Sequence, residues 1–136
     1  YTYTWPERLT MAPWKNGTEQ DVRRQDYEFG GMVSAAPMAG DWFHQHFGVS
    51  KDPLRLTAWF GPNNSRSRKP GVPGEAMTDR GAIDIKDGGD AIPYYEEDPF
   101  LRQEFADALA REGVESRMNP DFYTGDYHGK EPETVF

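Results

Sequence analysis

A mainly β fold with a single amphipathic helix near its C-terminal end is what this sequence of 136 residues predicts. Two observations carry the expectation. Residues alternate with period 2 in several short runs between 1 and 60, and a 3.6-residue period appears once, between 98 and 113. The composition bounds it: 36% hydrophobic and 14% aromatic residues supply one core. A chain of this size buries only about two-thirds of its unfolded surface, so a partner would add to its stability.

The elements follow in order. Tyr1-Thr2-Tyr3-Thr4-Trp5 alternates aromatic and Thr, the pattern of a half-buried strand, and Pro6 stops it. A translated chain starts with Met, so this opening leads us to expect a further segment upstream. Residues 7–25 are mostly polar, with Trp14-Lys15-Asn16-Gly17 reading as a strand end entering an Asn-Gly turn. Strands are expected at 31–36 (Gly-Met-Val-Ser-Ala-Ala) and at 42–50, separated by the turn signal Pro37-Met38-Ala39-Gly40. Another is expected at 54–60, where Leu54, Leu56, Ala58 and Phe60 alternate with Arg55, Thr57 and Trp59.

Residues 61–91 are rich in Gly and Pro and read as a long surface loop, with Ala82-Ile83-Asp84-Ile85 as a short edge strand inside it. The region 92–118 holds the helix. Asp98 is a good N-cap, Pro99 suits the first helical position, Glu96 and Glu97 sit at the positive dipole end, and Gly113 marks the stop. Leu101, Phe105 and Leu109, widened by Phe100 and Ala108, form its apolar stripe. Residues 119–136 read as an extended tail or arm.

Charge and composition exclude several function classes. With 15 Lys and Arg against 23 Asp and Glu the formal charge is −8, which opposes nucleic-acid binding because phosphate neutralisation needs a basic face. No run approaches the ~18–20 apolar residues of a membrane span and no signal segment opens the chain, so a cytoplasmic protein is expected. There is no Cys, so a transition-metal site would have to use carboxylates and His44, His46 or His128. Neither a Gly-rich phosphate loop nor a nucleophile with an adjacent base is present.

The segment Trp42-Phe43-His44-Gln45-His46-Phe47 is the most informative. On a strand, His44 and His46 share a face with Trp42, while Phe43, Gln45 and Phe47 take the other. Two imidazoles on one wall suit a divalent Fe, Mn, Ni, Cu or Zn ion; with a carboxylate they would form a facial site with open positions. Chance spacing of two histidines is the plain alternative. The plainer reading is preferred elsewhere: a solvated loop for the basic run 63–69, dipole stabilisation for Glu96-Glu97-Asp98, and core packing for Trp5, Trp14 and Trp59.

This segment, with Pro37 and Gly40 before it and Pro53-Leu54-Arg55-Leu56-Thr57-Ala58 after it, resembles the second conserved motif of the cupin superfamily. One bacterial group carries Trp-(Trp/Phe/Tyr)-His-Gln-His-Phe-Asn there. Tyr3 to Pro6 resembles the strand entering the motif, and residues 92–118 resemble that group's C-terminal helix. Gly48 stands where the group usually has Asn, and the spacing from Pro37 to His44 is longer. The resemblance implies a cupin-type double-stranded β-helix, or jelly-roll barrel, of which residues 1–60 are the C-terminal strands.

It also implies a site. His44 aligns with the metal-binding His of the second motif and would hold one divalent transition metal (Fe, Mn, Ni or Zn). His46 and Gln45 would orient substrate or move a proton, and Trp42 and Tyr3 would line the pocket. The His-x-His…Glu first motif is absent here. An upstream segment or companion chain is therefore expected to supply it and complete the barrel, in an oligomer. The leading expectation is a metal-dependent enzyme acting on a small organic substrate, with dioxygenase-like chemistry among the options. A non-catalytic ligand-binding module, or a structural subunit of a larger complex clamped through the tail, is the alternative.

Overall fold

The computed structural model describes residues 1–36, 42–58 and 83–125. Three strands form an antiparallel sheet: β1 (Thr2–Pro6), β2 (Arg23–Gln25) and β3 (Trp42–His46), in the order β2-β1-β3. The first strand is central. Its register sets Thr2 opposite Gln25 and His46, Tyr3 opposite Arg24 and Gln45, and Thr4 opposite Arg23 and His44. Residues facing each other across an antiparallel pair project from the same side of the sheet, so this register defines two chemically different faces.

One face is aromatic and packs on the helix α1 (Pro99–Arg111). Tyr1, Tyr3, Trp5 and Phe47 from the sheet region meet Leu101 and Ala108 from the helix, with Leu9 closing the core. The rings mesh rather than merely touch. Tyr1 stacks on Phe47 at 4.7 Å, Tyr3 meets Trp14 edge-on at 5.2 Å, and Trp14 stacks on Phe100 at 4.4 Å. Trp5 is 1% exposed, and its indole N–H donates to the Thr10 carbonyl at 2.9 Å.

The helix forms for local reasons. The Asp98 carboxylate accepts the Phe100 N–H at 3.0 Å and also the Lys15 N–H at 2.9 Å, so one buried side chain caps the helix and ties it to the loop after β1. Gly113, at φ +62°, ends it. The Gly113 N–H reaches the Ala110 carbonyl and the Val114 N–H the Leu109 carbonyl, the paired bonds of a Schellman stop.

Several expectations fail. Residues 31–36 are not a strand. Gly30, at φ +71°, turns the chain, and Ser34 and Ala35 give their backbone groups to the side chains of Gln25 and Thr4 instead of to a ladder. β3 stops at His46 rather than continuing to 50. Residues 54–58 of the expected strand are irregular and exposed; its end, Trp59 and Phe60, and residues 61–82 of the expected loop lie outside the described residues. Among the described residues of the expected edge strand, 83–85, Asp84 makes an isolated parallel bridge to Ala91, and Ile85–Asp87 turn into a 3-10 helix.

β2 arises within the polar stretch where no separate strand is expected. Of the expected tail, Pro120–Tyr123 form a 3-10 turn with Arg102 over the Tyr123 ring at 4.0 Å, and residues 126–136 lie outside the described residues. The structure thus shows a small antiparallel sheet backed by one helix. Among the described residues no helix is long and apolar enough to cross a membrane.

Candidate functional site

The second face of the sheet carries Thr2, Thr4, Trp42, His44 and His46. Alternation in β3 and the register against β1 place His44 beside Thr4 and His46 beside Thr2. The two imidazole rings lie 5.2 Å apart, inclined at 63°. Thr2 and Thr4 are wholly buried beneath them and beneath the loop that follows β2.

His46 is held by a closed triangle of polar atoms. Its Nδ1 lies 2.7 Å from Thr2 Oγ1 and 2.8 Å from Tyr27 Oη, and the two hydroxyls are 2.6 Å from each other. This fixes the ring and occupies Nδ1, leaving Nε2 as the nitrogen for other chemistry. Thr4 Oγ1 donates to the Ala35 carbonyl at 2.6 Å, so the same loop is pinned at both ends of the histidine pair. Trp42 flanks the pair, with the Arg23 guanidinium 5.6 Å from its ring centre.

Both histidines reach solvent, yet crowding protein atoms strip part of each ring's hydration. Burial is the first cause lowering the His44 pKa below its ordinary value, and the nearby His46 adds to it. For His46 burial again leads, followed by the Tyr1 ammonium. The lowered pKa values favour the uncharged rings at neutral pH, the form in which imidazole binds a metal or accepts a proton.

The structure separates residues that the sequence grouped. Trp42, His44 and His46 lie together. Tyr3 does not join them: it is 7% exposed and sits in the core on the opposite face, because odd and even positions of β1 point to opposite sides. Gln45 is also on the far side, where its Nε2 donates to Glu97 Oε2 at 3.1 Å. His128 lies outside the described residues.

Thr2 and Tyr27 were missed as site residues. Thr2 is signalled by its place between two core aromatics, which puts it on the histidine face, but nothing near Tyr27 in the sequence marks it. Asp98 acts as a cap, in line with the dipole reading of the acidic run, and Trp5 and Trp14 pack in or against the core, as expected.

As a metal centre the pair is half a donor set. Two neutral imidazoles on one wall fit a divalent transition ion, but among the described residues no group of three or more His, Cys, Asp or Glu side chains converges. No family model, no curated protein and no solved structure matches the chain.

Proposed function

We propose that this chain forms part of a metal-dependent cupin enzyme acting on a small organic substrate in the cytoplasm, with the barrel and the remaining ligands supplied by another segment or chain. The observation that supports the reading is the neutral pair His44 and His46, 5.2 Å apart on the open face of β3 beside Trp42. When bound, the ion would supply Lewis-acid polarisation and a template for substrate. His44 would be its ligand. His46, with Nδ1 held by Thr2 and Tyr27, would present Nε2 in a fixed direction, to hold or move a proton or to join the ligand set. Trp42 would cover one side of a bound substrate. Gln45 and Tyr3 do not belong to this pocket.

The decisive experiment measures metal content and native mass of the protein purified with whatever chains accompany it, before and after His44→Ala. About one transition ion per assembled site, lost in the variant, is expected. An assembly without stoichiometric metal, or one whose metal survives both His44→Ala and His46→Ala, would overturn the reading.

One observation favours the second reading, a non-catalytic binding or structural module: His46 already has hydroxyl partners, as a structural histidine would. In that case the histidine variants would leave any activity of the assembly intact and lower only stability.

A further inference from the structure

On the histidine face of the sheet most polar side chains are already committed. Thr2 bonds Tyr27 and His46, Thr4 donates to the Ala35 carbonyl, and the Gln25 amide donates to the Ser34 carbonyl and accepts the Ser34 N–H. Arg23 differs. It stands in one row with Thr4 and His44, because Thr4 pairs with both, and its guanidinium leans across the central strand to lie 5.6 Å from the Trp42 ring centre. Its neighbour Arg24 holds Asp26 and Glu104, whereas the Arg23 side chain makes no ion pair or hydrogen bond among the described residues. The strand positions on this face include no Asp or Glu. A chain of formal charge −8 thus keeps an exposed guanidinium here, beside an indole ring and two imidazoles.

We propose that Arg23 anchors the carboxylate of a small organic acid whose apolar body lies against Trp42 and whose other end reaches the histidine pair. This rests on the proposed function in taking the histidine face as the working face, and it names the substrate class. The chemistry selects that class. A guanidinium presents a planar fork of N–H donors that fits a carboxylate through two parallel bonds. A cationic ligand would meet Arg23 with like charge, a neutral one would leave the fork unused, and an inorganic anion would leave the indole bare. The reach suits a small molecule: Arg23 and His44 stand two strands apart, about 10 Å between backbones, and the inward lean of the guanidinium shortens that span.

The test is a titration of the full chain with sodium benzoate, free of metal, followed through the NMR signals of the Trp42 indole and the His44 ring. Saturable shifts are expected, with at least tenfold weaker binding in Arg23→Gln. Nuclear Overhauser contacts from the benzoate ring to the Trp42 indole are expected in the unaltered chain, a readout that needs no variant to fold. Benzamide, which keeps the ring without the charge, and sulfate, which keeps charge without the ring, should not saturate these signals. No saturation with benzoate, an equal response to benzamide or sulfate, contacts that bypass Trp42, or undiminished affinity in Arg23→Gln would overturn the proposal. Because no metal is present, its failure is distinguishable from that of the metal reading, which the metal content of the purified assembly decides.

Discussion

His44 and His46 make stability a function of pH, and the sign follows from the direction of their shifts. Each folded-state pKa lies below the ordinary value of about 6.5. As pH falls through 6.5 the unfolded chain takes up protons that the folded chain refuses, so the folded state loses stability down to the lowered pKa and no further. Urea unfolding at pH 7.5 and pH 5.5 should therefore show a drop on acidification. That drop should shrink in His44→Asn, and an unchanged drop would mean that other groups carry it. The face that these residues share was legible in the sequence because a strand alternates strictly. Tyr27 was not, since its hydroxyl reaches Thr2 and His46 only through the path of a loop.

The helix is the element most completely written in local sequence, and its two ends yield quantitative expectations. Asp98→Ala removes a cap and also orphans the Lys15 N–H, so the cost should be about 3 kcal/mol by denaturant titration, the sum of a cap and an unsatisfied donor. Asp98→Asn keeps one acceptor oxygen and should fall between. Gly113→Ala should cost about 1 kcal/mol. No atom lies within 4 Å of the added Cβ, so the penalty there is the left-handed backbone alone. The strands were less legible. Residues 31–36 carry strand-forming Met32 and Val33, but Gly30 and the side chains of Gln25 and Thr4 claim the backbone first. β2 has no apolar residue and exists because the edge of β1 pairs it.

At the scale of the molecule, the core is small and rests on few side chains. Leu101 is 1% exposed between the sheet and its helix, so Leu101→Ala should cost about 3 kcal/mol, within the range for emptying a buried leucine site. In a domain whose total stability is on the order of 5–15 kcal/mol, this should appear as a marked fall in the urea midpoint. The strands at 2–6 and 42–46 and the one helix were legible, because alternation and capping are short-range signals. A barrel was an inference from resemblance, and the sheet described has three strands. The split between the histidine face and the Gln45 and Glu97 face follows from period 2, whereas the partner that Gln45 finds depends on where the helix docks.

The two-faced character of β3 has a consequence for how this chain can change in descent. Deleting one residue within 42–46 exchanges the faces of everything on one side of the lesion, burying a histidine against aromatic rings or turning a core phenylalanine to water. Deleting two restores the alternation. Length variation among descendants of this chain should therefore skip odd-numbered gaps within 42–46, and a library of single-codon deletions scored for soluble expression would show whether that stretch is as intolerant as its pleat requires.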